Sequence, residues 1–153
     1  MNQRIFLLLP DFFQNILISV FNILAYRTRY GGKYCEYLAL FKNNRELSAE
    51  QLVQVQKDRY SQFIKEVVEK SPFYEKALGE IRGYSELKNI TKLPILTKEI
   101  LRREINNIQT ISKRDGVLYK TGGTTGKSLE VLFTKSNVQE RYAMLDDFRA
   151  RFG

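Results

Sequence analysis

Apolar positions along this chain recur mostly at the helical period, and alternate in one place only. From Ser48 to Glu69, Leu52, Val55, Phe63, Ile64, Val67 and Val68 form a stripe that predicts a helix. Ser48 can cap that helix, with Gln51 completing a capping box, and Ser71-Pro72 ends it because a residue before proline is pushed out of the helical region. Phe12 to Tyr26 predicts an earlier helix, broken at Tyr30-Gly31-Gly32. A short helix over Lys33–Phe41 follows, then a polar linker from Lys42 to Arg45. Phe73–Leu78 predicts another short helix, stopped by Gly79. Leu93 to Leu96 is an extended connector, and Thr97 caps a helix to Ile108 carrying Ile100, Leu101, Ile105 and Ile108 on one side.

After a turn at Lys113–Gly116 the period changes. Val117–Lys120 and Leu129–Thr134 predict two strands, the second with Leu129, Val131 and Phe133 on one face. Ser136 and Gln139 have the spacing of a second capping box. The helix beyond them places Val138, Tyr142, Leu145, Phe148 and Phe152 along a stripe expected to be a core face. The expected class is α+β: a helical N-terminal half, then a β-hairpin carrying a glycine-rich loop, then a helix. The expected organisation is an N-terminal apolar helix and turn region, 1–44, followed by the start of a larger domain, 45–153.

Composition narrows the chemistry. The chain has 153 residues, 43% hydrophobic and 27% charged, which suits a globular domain with a real core. It has no histidine, which excludes Ser-His-Asp chemistry and histidine metal sites. Cys35 stands alone, so no disulfide can form within the chain, and a reducing, cytoplasmic setting is expected. The net charge of +8 favours an anionic partner: nucleotide, nucleic acid or membrane surface. No basic stripe interleaved with aromatics stands out, so nucleic acid is not expected.

The run from Phe12 to Tyr26 contains Gln14, Asn15 and Asn22, and is too short and polar for a membrane span of about 20 apolar residues. Arg27, Arg29 and Lys33 follow it directly. Such a helix can pack on its own protein, the preferred expectation. Alternatively, residues 12–33 can lie on an anionic membrane surface.

The stretch Thr121-Gly-Gly-Thr-Thr-Gly-Lys-Ser128 is rich in groups that hold phosphate. Gly122, Gly123 and Gly126 allow backbone N–H groups to turn inward as an anion nest. Thr121, Thr124, Thr125 and Ser128 bring hydroxyls, and Lys127 a point charge. It is not a Walker loop. That pattern requires a glycine where Thr121 stands, and opens into a helix rather than the strand predicted here. The alternative is a solvated hairpin loop with no ligand.

Tyr119-Lys-Thr-Gly-Gly-Thr-Thr-Gly-Lys-Ser-Leu129 resembles the phosphate-binding signature of the adenylate-forming enzymes. The nearest branch is the phenylacetate–CoA ligase-like group, and within it the capsule-biosynthesis ligases of CapK type. Tyr30-Gly31-Gly32, Ser71-Pro72-Phe73-Tyr74 and Leu93-Pro-Ile-Leu-Thr-Lys98 resemble further elements of that branch, in order and spacing. The resemblance implies an ATP-dependent carboxylate ligase that forms an acyl-adenylate and pyrophosphate with Mg²⁺. In many such enzymes coenzyme A then accepts the acyl group. It implies that Thr121, Gly122, Gly123, Thr124, Thr125, Gly126 and Lys127 bind the nucleotide phosphates.

Two departures stand out. Ser128 replaces the usual proline, and Leu129-Glu130 stand where many relatives carry a second lysine. The resemblance covers about the first third of such an enzyme. The chain is therefore expected to be a truncated N-terminal portion. No catalytic or metal-binding residues are expected in it, and no activity alone.

Overall fold

The structure, a computed structural model, describes residues 6–79, 86–121 and 128–153. Its helices are α1 (Asp11–Tyr30), α2 (Tyr34–Asn44), α3 (Ala49–Lys70), α4 (Pro72–Leu78), α5 (Lys98–Ile108) and α6 (Lys135–Arg149). A 3₁₀ turn spans Leu87–Lys92, and β1 (Gly116–Lys120) and β2 (Glu130–Thr134) form an antiparallel hairpin. The class is α+β, as the patterning predicts. The chain divides into two compact units, residues 44–134 and residues 1–43 with 135–153.

In the unit of residues 44–134, local capping sets the helix ends. Ser48 Oγ accepts from the Gln51 N–H (3.3 Å) and Gln51 Oε1 accepts from the Ser48 N–H (2.8 Å), so the capping box is formed. Ser71 ends α3 and begins α4. Its N–H donates to Val67 O, and its Oγ accepts from the Tyr74 N–H. The same Oγ donates to Asn107 O on α5 at 2.8 Å. Extended backbone at Ser71 (φ −119°, ψ 110°) is what the following Pro72 demands, and Pro72 occupies a first-turn position where its missing N–H costs nothing.

Ile64 and Leu78 form the buried cluster of this unit, packed by Tyr60, Val68, Tyr74 and Leu93. Burial on α3 is confined to Ile64 and Val67. Leu52 and Phe63, part of the predicted stripe, stay 43% and 57% exposed. Leu52 lies away from the end of α3 where Tyr60, Ile64 and Val68 meet this cluster, and Phe63 lies at that end but outside the cluster. Thr97 Oγ1 accepts from the Ile100 N–H, capping α5 as expected.

In the other unit, α1 runs past Tyr26 to Tyr30 and ends when the Gly31 N–H donates to Arg27 O. Gly32 then takes φ +52°, a left-handed conformation that side chains rarely adopt. A Cβ there would lie 2.9 Å from Gln139 Oε1, the atom that accepts the Lys33 N–H at 3.0 Å. Helix α2 starts one residue later than expected and continues through Lys42, Asn43 and Asn44, which the sequence assigns to a linker.

Two further expectations are corrected here. Ser136 and Gln139 do not form a capping box, because α6 begins at Lys135, directly after β2. Instead Ser136 Oγ shares a 2.6 Å hydrogen bond with the Tyr37 hydroxyl, and Gln139 is buried against the glycine turn. The stripe along α6 also fails beyond Tyr142. Leu145, Phe148 and Phe152 are exposed, whereas Val138, Gln139, Ala143 and Asp147 are buried.

The polar residues on α6 are used by α1 and α2. Tyr34 Oη donates to Asp146 Oδ2 at 2.8 Å. Burial, reinforced by the Asp146 carboxylate, pushes the Tyr34 phenol from 10.0 up to about 12. Tyr30 packs edge-on against Tyr34 and Tyr142, and the Arg29 guanidinium sits 5.3 Å from the Tyr142 ring centre.

Candidate functional site

The glycine-rich loop leaves one strand and returns on its neighbour. In the hairpin register Gly116 pairs with Thr134, Leu118 with Leu132, and Lys120 with Glu130. Gly122, Gly123, Thr124, Thr125, Gly126 and Lys127 lie outside the described residues. The structure therefore places the two ends of the site: Thr121 on the entering side, Ser128 and Leu129 on the leaving side.

Those ends are tied together. The Thr121 N–H donates to Leu129 O at 2.9 Å, and the Leu129 N–H donates to Thr121 Oγ1 at 3.0 Å. One residue thus uses both its backbone and its side chain to close the base of the loop. Thr121 Oγ1 spends one acceptor site on this staple and keeps its hydroxyl hydrogen for another partner. Among the expected phosphate ligands, Thr121 has this second job, which the motif alone does not show.

One step below the staple, Lys120 Nζ pairs with Glu130 Oε1 at 2.7 Å. Lys120, first by its hydrogen bond and then by its charge, holds the Glu130 carboxyl below the usual carboxylate range, with a smaller contribution from Lys113. This matters for the site. An unpaired carboxylate beside the loop would repel an anion; the cross-strand lysine offsets it. Register could have revealed the pair, since two antiparallel strands closed at Thr121 and Leu129 must set 120 opposite 130. Lower in the hairpin, Tyr119 and Phe133 meet edge to face at 5.3 Å.

A hollow of about 190 Å³ lies between α5 and the hairpin, reaching the leaving end of the loop at Ser128 and Glu130. Arg102 and Gln109 of α5 and Lys113 of the following turn also line it. Arg102 and Lys113 thus place two basic side chains on the lining of this hollow beside the paired Glu130. Charge, an available hydroxyl and a loop held at both ends fit binding of a nucleotide's phosphates. Among the described residues no cluster of histidine, cysteine or carboxylate side chains could hold a metal.

The chain is 29% identical over 147 residues to Protein CapK of Staphylococcus aureus, covering 94% of this chain and 32% of that protein. It thus spans about a third of the length of the relative it matches. No family model matches the chain, and no solved structure matches it.

Proposed function

We propose that the chain is the N-terminal part of an ATP-dependent carboxylate ligase that forms an acyl-adenylate. The observation that carries this is the strand–loop–strand bracket: Thr121 and Leu129 close the loop's base between paired strands, an architecture unlike a Walker loop. Similarity to CapK along nearly the whole chain supports it.

In this proposal Thr121, Gly122, Gly123, Thr124, Thr125, Gly126 and Lys127 hold the β- and γ-phosphates of ATP. Backbone N–H groups and the Thr124 and Thr125 hydroxyls donate to phosphate oxygens, and Lys127 faces the departing pyrophosphate. The work is positioning and charge stabilisation. Mg²⁺ would shield the triphosphate; its ligands, the adenine and ribose contacts and the acyl pocket belong to a longer protein. A carboxylate is the substrate, and coenzyme A is the proposed acceptor. The lone cysteine fits a cytoplasmic enzyme.

The test is carboxylate-dependent exchange of labelled pyrophosphate into ATP. A longer form extended to the length of CapK is expected to show exchange, and Lys127→Ala to lower it roughly tenfold to a hundredfold. The 153-residue chain is expected to show none. Exchange that survives Lys127→Ala and Thr124→Val unchanged would remove the loop from the reaction.

A further inference from the structure

Helix α1 carries an apolar half-cylinder that the rest of the described chain leaves open. At roughly 100° per residue, Phe12, Phe13, Ile16, Val20, Phe21 and Leu24 fall within one half of the helix surface, and Asn15, Ser19 and Asn22 fall opposite. None of the twenty residues of α1 is buried; Phe12 and Phe21 are 69% and 70% exposed. The expectation that this helix packs on its own protein is not met along that face. The helix is held by its last turn instead, where Arg29 and Tyr30 meet Tyr142 of α6.

Charge says what could cover the face. Between Asp11 and Glu36 there is no carboxylate, while Arg27, Arg29 and Lys33 cluster at the helix's C-terminal end and the turn beyond it. Arg27 and Lys33 are exposed. An apolar protein groove would satisfy the phenylalanines but not these cations. A second copy of the same helix would bring the same cations, with Asp11 as the sole carboxylate of each α1 to meet them. An anionic lipid surface satisfies both features, with acyl chains for the phenylalanines and headgroup phosphates for the arginine and lysine. No helix among the described residues is long and apolar enough to cross a membrane, and the amide stripe needs a wet side. The fitting geometry is a helix lying in the plane of the interface.

We propose that α1 is such an in-plane anchor, with Arg27 and Lys33 against anionic headgroups. The site stands apart from the loop and does not depend on the ligase reading.

The test is flotation of the full chain with vesicles of phosphatidylcholine mixed with phosphatidylglycerol, and with phosphatidylcholine alone. The chain should float with the anionic vesicles, several-fold less with the neutral ones, and less again as salt rises. Phe13→Ser with Phe21→Ser should lower binding tenfold or more. Arg27→Gln with Lys33→Gln should lower anionic binding about tenfold and leave neutral binding unchanged. All four side chains are exposed, and unchanged far-UV circular dichroism would confirm folding of each variant. Absence of flotation, equal flotation with both vesicles, or variants that bind like the wild type would overturn the proposal. So would a concentration-dependent dimer that does not float, since a second copy would then cover the face. Flotation by this chain but not by a longer form would also overturn it, by making the face an interior surface.

Discussion

At Gly31–Gly32 the chain turns against partners far away in sequence, whereas at Thr121–Leu129 it is closed by neighbours. The first turn and the helix after it are held by Gln139, Asp146 and Ser136, 106, 112 and 99 residues from the groups they bond. The second is closed by residues eight apart, with an exposed ion pair just below. Both are glycine-bearing stretches that carry the family resemblance, yet they ask different things of their glycines. Gly32 supplies a backbone conformation and a close approach, and its surroundings are occupied by α6. The bracket at Thr121 ties together the two ends of the loop through the paired bonds between Thr121 and Leu129. One turn is held by long-range bonds, and the other is closed locally.

Substitutions can break or sharpen this contrast. The largest effect is expected at the first turn. Gly32→Ala should cost roughly 2–3 kcal/mol, about 1–2 from the left-handed backbone and the rest from the Gln139 bond it displaces. Thermal unfolding would report this as a clear drop in Tm. A change within error would mean that the turn is held less firmly than its long-range bonds suggest.

Tyr34→Phe should cost about 1 kcal/mol at neutral pH through loss of the bond to Asp146. It also carries a pH signature. The folded-state pKa is raised from 10.0 to about 12, so the folded state holds the proton more tightly than the unfolded one. The stabilisation is complete below pH 10 and is lost as pH rises from there to about 12. Denaturant melts of wild type and variant should therefore converge over that window. Curves that stay parallel would place the stabilisation elsewhere.

At the second turn, Thr121→Val removes the side-chain acceptor for the Leu129 N–H but leaves the backbone bond. Stability should fall by only about 0.5–1 kcal/mol, because the site is exposed. Amide exchange at Leu129 should quicken by up to about tenfold while Ile64 and Val67 are unaffected. Exchange quickening across the whole unit would mean that the bracket is part of the fold after all.

The smallest structural effect is expected from Lys120→Gln. An exposed pair contributes little to folding, so Tm should not move. Glu130 would then stand unpaired beside the loop, and ATP binding should weaken about twofold to threefold at low salt and less at high salt. An unchanged affinity would mean that the pair does not influence the loop.

The legible features of this chain are those decided within a few residues. The capping box at Ser48 and Gln51, the Ser71-Pro72 junction and the Thr97 cap can be named from the sequence because donor, acceptor and backbone preference are all local. The hairpin is legible for the same reason, through alternation and the glycine-rich break. Of the candidate site, the structure describes only Thr121, and the other six expected residues lie outside the described ones. The same local logic misleads at Ser136 and Gln139, where the capping spacing is present but both side chains are taken by Tyr37 and Lys33.

By itself, then, the sequence determined where the capped helices α3, α4 and α5 begin and stop, which stretch forms a hairpin, and what chemistry its loop could bear. These follow from backbone preferences and short-range hydrogen bonds. Only the tertiary structure decided which side chains became core. Gln139 and Asp147 are buried while Phe148 and Phe152 are not, and α1 shows its phenylalanines to the outside. Apolar spacing on a helix says which residues share a face, but not whether anything arrives to cover it. That depends on elements about a hundred residues away, whose approach no local pattern records.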